Sequence, residues 1–319
     1  VTVTVHEYGV RDCVIPRPGH VFIDADIEAL ELCTLAQAEI WTIKDDTKAR
    51  QLNSGVDPHS LTGTKIHKGG LTWKEFKALT KINKAAKNIR NLAKVPNFGK
   101  PGGMADTTLI SFARTSYGIK LAATEANPRP CREEQEAEAI MIGDFWREAN
   151  PNDQEYLEFI RTCRRGDRYE VIIGHPSIGT VIRRGKATYC AAANCLFQGL
   201  GAIAAGEITW EVQRACYATP ASPLYGARLV VQAYDEWLLE VRTERRTAAA
   251  EELTRIIKTA GARKVPDVMF RADTCAMSRW IKAAERVIDP RSGELMIWGT
   301  PECAQEWQRQ QAAASAATN

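Results

Sequence analysis

Carboxylates set against apolar strands are the groups in this sequence best suited to chemistry. VFIDADIEALELCTLA (21–36) places Asp24, Asp26, Glu28 and Glu31 on an otherwise apolar run. QAYDEWLLE (232–240) places Asp235 and Glu236 at the centre of a second one. A carboxylate removed from water is costly unless a cation or hydrogen bonds compensate it. Two strand-borne carboxylates brought together cannot both stay ionised without cations between them. Hard oxygen ligands select Mg²⁺, with Mn²⁺ as its substitute, over zinc. Two such ions would support in-line phosphoryl transfer, one activating a hydroxyl and the other stabilising the leaving oxygen. Taken alone, Asp26 is either a helix N-terminal charge or a metal ligand, and Glu236 is either a site residue or a hairpin-turn acid.

Periodicity indicates which elements carry these acids. Val21 and Ile23 alternate with Phe22 and Asp24, the period of two of a β-strand. From Ile27 onward Leu30, Leu32 and Leu35, with Ala29 and Ala36, take helical spacing, so Asp26 sits near a strand-to-helix junction. Residues 1 to about 45 read as strand, strand and helix. Residues 46 to about 185 read as mainly helical, punctuated at GKPGG (99–103) and EANPRPC (125–131). A long helix from about 186 leads through TPASPLYG into ARLVVQAYDEWLLEVRTE, which reads as a hairpin about an acidic centre. A helix near 244–260 and a strand near 266–273 come next, and the tail QRQQAAASAATN reads as low-complexity and frayed. The class is α+β, with a mixed sheet built from both ends of the chain and a helical insertion between them. That layout brings Asp26 and the hairpin acids into one sheet.

Composition narrows the partners. The 319 residues suffice for one large domain or two smaller ones with proper cores, and no apolar run approaches the length of a membrane helix. VTVTVHEYG lacks the basic-then-apolar order of a signal peptide. Nine cysteines at irregular spacing, without a CxxC pair, predict reduced thiols in a cytoplasm-like compartment. His6, His20, His59, His67 and His175 do not combine with them into a zinc spacing. The net charge of +3 is uneven: Thr64–Gly103 holds nine lysines and one arginine against Glu75 alone, a surplus of nine, so the remainder is net −6. A basic segment on an otherwise acidic chain is either a polyanion-binding surface or a solvated lysine face, as for Lys77, Lys81, Lys84 and Lys87.

The order of motifs resembles the polymerase half of family A DNA polymerases, the polymerase I type of bacteria and phages. DADIEALELCTLAQ (24–37) is similar to their first motif, D-Y-S-x-x-E-L-R-x-L-A. The resemblance implies that Asp26 binds metal, that Ile27 offers its backbone carbonyl, and that Glu31 is the steric gate excluding a ribose 2′-OH. VDPHSLTG (56–63) is similar to the family's D-x-H-S/R-x-T segment and implies His59 near a triphosphate. RNLAKVPNFGKPGG (90–103) resembles the nucleotide-binding helix, R-x-x-x-K-x-x-x-F-G-x-x-Y-G. Spacing by four puts Arg90, Lys94 and Phe98 on one helical face, and the resemblance assigns phosphates to Arg90 and Lys94 and base and sugar to Phe98. ANCLFQGLGA (193–202) resembles N-x-x-x-Q-G, implying Asn194 and Gln198 against template-primer. QAYDEWLLE resembles the V-H-D-E motif, implying Asp235 as second metal ligand, Glu236 beside it, and Tyr234 at the primer terminus. MFRADTCAMSRWIKAAE (269–285) is similar to the closing palm segment.

The resemblance as a whole implies template-directed DNA synthesis with two Mg²⁺, on primer-template DNA and dNTPs, in the bacterial cytoplasm. It divides the chain into palm (1–45), fingers (46–185) and palm (186–319). Thumb and exonuclease domains have no counterpart in these residues, so either a separate chain or a part of the protein outside these residues would supply them. The catalytically weak or inactive alternative is a module that binds primer-template or a partner protein. Departures from the pattern bear on that choice. Pro96 falls inside the fingers helix, where proline removes a hydrogen bond and costs about 3 kcal/mol. Gly102 stands for a tyrosine, Tyr234 for a histidine, Cys33 and Cys190 for arginines, and Lys100 for an apolar residue.

Overall fold

A computed structural model describes residues 9–282 and 284–316. In chain order its elements are β1 (His20–Ile27), α1 (Leu30–Ile43), α2 (Thr47–Asn53), α3 (Pro58–His67), α4 (Trp73–Ile82), α5 (Lys84–Gly99), α6 (Thr108–Tyr117), α7 (Arg132–Ala149) and α8 (Pro151–Thr162). Next come β2 (Arg164–Arg165), β3 (Arg168–His175), β4 (Thr180–Ala187), α9 (Tyr189–Tyr217), β5 (Arg228–Ala233), β6 (Glu236–Arg242), α10 (Arg246–Lys264), β7 (Ala272–Met277), β8 (Ile297–Trp298) and α11 (Pro301–Ala316). The α+β class is as the sequence implies. The chain forms two compact units, one of residues 1–30, 202–264 and 270–319, the other of residues 31–201 and 265–269.

The first unit is organised by one five-stranded sheet in the order β5-β6-β1-β7-β8. The β1–β6 and β1–β7 pairs are antiparallel, and β7–β8 is parallel. Val21, Ile23, Ala25 and Ile27 point to one face and are buried, where α10 packs on β1 and β7. The opposite face carries Phe22, Leu238, Cys275 and Met277 as a buried cluster, and its open end carries the acids. Trp237 is fully buried and its Nε1 donates to Thr209 Oγ1 at 2.9 Å, which anchors the hairpin to α9.

The second unit is mainly helical. Val95, Leu109, Ala113, Leu121, Ala139 and Ile142 form one of its cores. The antiparallel sheet β2-β3-β4 stands in a stretch that the sequence pattern presents as helical. Val171, Ile173 and Ile182 alternate with exposed residues there, a period-two signal on short runs amid arginines. The strand expected near 266–273 lies later, at Ala272–Met277, because its register is fixed by Asp26 opposite Asp273. The tail expected to fray, QRQQAAASAATN, is helical in α11 as far as Ala316, and residues 317–319 lie outside the described residues. Of the two strands expected before residue 45, β1 is described; residues 1–8 and His6 with them lie outside the described residues. Helix α5 continues through Pro96, whose ring is buried and whose carbonyl accepts the Lys100 N–H.

Candidate active site

The acids converge as strand register dictates. Asp26, near the end of β1, is opposite Glu236 on β6 and Asp273 on β7. Asp24, two residues back and hence on the same face, completes the group. Asp235 sits in the two-residue turn between β5 and β6, and its carbonyl accepts the Ile27 N–H at 3.1 Å. Tyr234 supplies the turn with φ of 56° and is 91% exposed. A non-glycine residue in that region carries strain of about 1 kcal/mol or more.

Mutual repulsion dominates the electrostatics after dehydration. Partial burial, then Asp235, Glu236 and Asp273, raise the Asp26 carboxyl to about 7. Burial, then Glu236 and Asp26, raise Asp24 to about 7, and Asp24 Oδ1 is buried without a hydrogen-bond partner. Burial and Glu236 also push Asp235 upward. The counter-charge is Arg11, whose Nη1 donates to both Glu236 oxygens at 2.8 and 3.0 Å. Trp280 Nε1 donates to Glu236 Oε1 at 2.6 Å, and the Arg11 guanidinium lies 4.2 Å from the centre of the Trp280 ring. Glu236 is thus held by two donors, while Asp24, Asp26 and Asp235 keep the unrelieved charge.

The donor chemistry fits a hard divalent cation, which would lower all three raised carboxyls. Among the described residues no group of three or more His, Cys, Asp or Glu side chains is arranged to enclose a metal. Mg²⁺ binds through one or two carboxylates and completes its shell with water and substrate phosphates.

The second unit holds the residues expected at a nucleotide. His59 and Phe98 approach with ring centres 5.1 Å apart. His59 is buried, and Asn97 Nδ2 lies 3.1 Å from its Nδ1. Burial, with Arg90 and Lys94 nearby, lowers His59 to about 4 despite Asp57, so the ring is neutral at pH 7. Arg90 donates from Nε to Asp57 Oδ2 at 2.8 Å and from Nη2 to Oδ1 at 3.1 Å. Burial opposes ionisation of Asp57, but hydrogen bonds from Arg90 and Ser60 win and lower it to about 2. Glu31 is exposed in the first turn of α1 and close enough to Tyr117 to raise that phenol after burial has done so.

Asn194 Nδ2 donates to the Gly102 and Cys190 carbonyls at 3.2 and 2.8 Å, and Gln198 Nε2 to Asn194 Oδ1 at 3.2 Å. These bear on one departure: a Cβ at Gly102 would lie 2.5 Å from Asn194 Nδ2, so a side chain there requires Asn194 to shift. Lys100 is buried against Asp106, which Arg147 also contacts, and needs no apolar replacement. Cys33 is buried, and Cys190 Sγ is 3.4 Å from the Gly103 carbonyl oxygen. Among the described residues no cysteine forms a disulfide, and no helix is long and apolar enough to cross a membrane.

Sequence reasoning missed Arg11, Trp280, Asp57 and Asp273. Asp57 stands two residues before His59 in VDPHS, a local signal for a partner to Arg90. Arg11 lies 225 residues from Glu236 and leaves no local signal.

No family model matches the chain. It is 25% identical over 268 residues to DNA polymerase I of Aquifex aeolicus, covering 83% of this chain and 40% of that protein. It is 26% identical over 270 residues to DNA polymerase I of Caldicellulosiruptor bescii, covering 82% and 27%. The chain therefore spans well under half the length of these curated relatives. The fold matches the POL domain of Pol1 from M. smegmatis, solved in complex with DNA primer-template and dNTP, with a TM-score of 0.55 at 17% identity over 85% of this chain and 42% of that one. The chain is thus similar in sequence to DNA polymerase I proteins and has the fold of a polymerase I POL domain.

Proposed function

We propose that the chain carries out template-directed DNA synthesis, adding dNTPs to a primer 3′-OH. The observation that carries this reading is the meeting of Asp24, Asp26, Asp235 and Asp273 at one end of a sheet face with Arg11 as their counter-charge. Asp26, Asp235 and the Ile27 carbonyl would hold two Mg²⁺. Magnesium there supplies Lewis acidity for the primer hydroxyl and for the departing pyrophosphate oxygen. Glu236, ion-paired with Arg11 and hydrogen-bonded by Trp280 Nε1, would stand beside Asp235 as a third catalytic carboxylate. Arg90 and Lys94 would take the triphosphate, with neutral His59 as a hydrogen-bonding ring against Phe98. Glu31 would exclude a 2′-OH. Asn194, Gln198 and exposed Tyr234 would face template-primer. In this reading residues 1–45 and 186–319 act as palm and 46–185 as fingers.

One observation favours a second reading, a module that binds primer-template without turning it over. Both Arg90 and Glu236 are already ion-paired within the protein. Primer extension with Mg²⁺ and dNTPs decides, with Asp235→Ala in parallel. Extension by the native chain, abolished in the variant, establishes synthesis. Duplex binding without extension, in Mn²⁺ as in Mg²⁺, establishes the binding module.

A further inference from the structure

The cationic surplus of Thr64–Gly103 separates into two populations. Lys65 pairs with Glu148, Arg90 with Asp57 and Lys100 with Asp106, while Lys68 lies over the Phe145 ring. Lys74, Lys77, Lys81, Lys84 and Lys87 are exposed, and none of them makes an ion pair among the described residues. The segment's single acid does not neutralise them, because Glu75 accepts from Thr72 N and Oγ1 at 2.8 and 2.7 Å in the cap of α4. Lys84 and Lys87 moreover occupy the first turn of α5, which contains no acid. Cations there repel each other and the positive end of the helix, so helix stability does not explain them.

Their direction along α5 does. Phe98, Lys94, Arg90 and Lys87 descend the helix at steps of four, four and three residues, about 5–6 Å each. Lys87 and Lys94 are seven residues apart and share a face. If Phe98 meets the base and Lys94 and Arg90 the phosphates, Lys87 and then Lys84 lie beyond the last phosphate, toward solvent. We infer that Lys84 and Lys87 form an outer polyphosphate-steering site, which draws the triphosphate tail of a nucleotide to Arg90 and Lys94. This rests on the nucleotide reading of α5, and it assigns no role in the chemistry itself. A row of unpaired exposed cations raises local anion concentration and on-rate, an effect that salt weakens.

The test compares the native chain with Lys84→Gln/Lys87→Gln, both exposed changes. Stopped-flow binding of a fluorescent dNTP analogue gives the on-rate at low and high salt, and equilibrium binding of a labelled primer-template is measured beside it. The expected result is an on-rate lower by about three- to tenfold at low salt, converging with the native value near molar salt, and an unchanged primer-template affinity. An unchanged on-rate overturns the inference, as does failure of the native chain to bind the analogue. So does a loss confined to primer-template affinity, which would make the strip a DNA contact. Primer extension by the native chain is scored separately, so failure of synthesis with analogue binding intact counts against the polymerase reading and not against the strip.

Discussion

Asp57 grips Arg90 at two points, with Nε to Oδ2 at 2.8 Å and Nη2 to Oδ1 at 3.1 Å, from the N-terminal edge of α3 to the middle of α5. The pair fixes the guanidinium before any ligand arrives. It also means that a phosphate approaching Arg90 meets a cation whose charge is already shared. Asp57 therefore sets both the position and the available charge of the residue proposed to bind a triphosphate.

Removing that carboxylate separates the two effects. Asp57→Asn leaves a partly buried guanidinium without its counter-charge, and we expect a loss of about 2–3 kcal/mol at pH 6. Asp57 is depressed to about 2 in the folded protein. Its contribution is therefore present above the ordinary carboxylate value and lost as pH falls through about 2. Urea unfolding at pH 6 and at pH 2–3 checks this: the native and variant curves should differ at the higher pH and converge at the lower. A difference of equal size at both would show that the ion pair is not its source.

Arg11 is predicted to act on the acid group through charge. It lowers both Asp24 and Asp26, which burial and neighbouring carboxylates have raised to about 7. In Arg11→Gln both carboxyls should titrate at still higher pH in metal-free protein, seen by infrared or ¹³C-carboxyl spectroscopy. The acid limb of any extension activity should move up with them, with a severalfold loss at pH 7. Unmoved carboxyl titrations would leave Arg11 a purely structural anchor for Glu236.

The acid cluster was legible because strand periodicity is short-range and register follows from it. Once VFIDAD and QAYDEW were strands of one sheet, Asp26 and the hairpin acids had to meet. Trp280 and Arg11 were not legible, since their contacts with Glu236 depend on irregular segments that no periodicity describes. The sheet β2-β3-β4 was hidden for a related reason: Val171, Ile173 and Ile182 are few, and the surrounding arginines mask their alternation. Gly102 read as a departure from a pattern; only the position of Asn194 shows what a side chain there would meet.

That close approach gives a prediction of its own. A Cβ at residue 102 would meet Asn194 Nδ2 and Oδ1 at 2.5 and 2.6 Å, so Gly102→Ala should destabilise by about 1–3 kcal/mol. The penalty should fall sharply when Asn194→Ala is made as well, because the clash partner is gone. A double-mutant cycle on thermal or urea unfolding measures this coupling. Additive losses would mean that the backbone at 102, and not Asn194, resists the methyl.

Buried charges join α1, α2 and α8. Lys48 Nζ is 2.5 Å from Asp153 Oδ1, and Glu39 faces the same pair, fully buried with neither oxygen hydrogen-bonded by another group. One lysine cannot balance both carboxylates without water. Burial raises Glu39 well above its ordinary value, and Asp153 adds to this although Lys48 opposes it. Folded Glu39 therefore keeps a proton that the unfolded chain releases, so stability falls as pH rises from Glu39's ordinary value toward its folded one. Glu39→Gln carries that proton's role permanently. It should leave stability near pH 5 within about 1 kcal/mol and flatten the decline between pH 5 and 9. Lys48→Met, which strands Asp153, should cost about 3–5 kcal/mol at pH 7. Urea unfolding across that range decides: a Glu39→Gln curve parallel to the native one would mean that Glu39 is ionised in the fold and that Lys48 balances both acids after all.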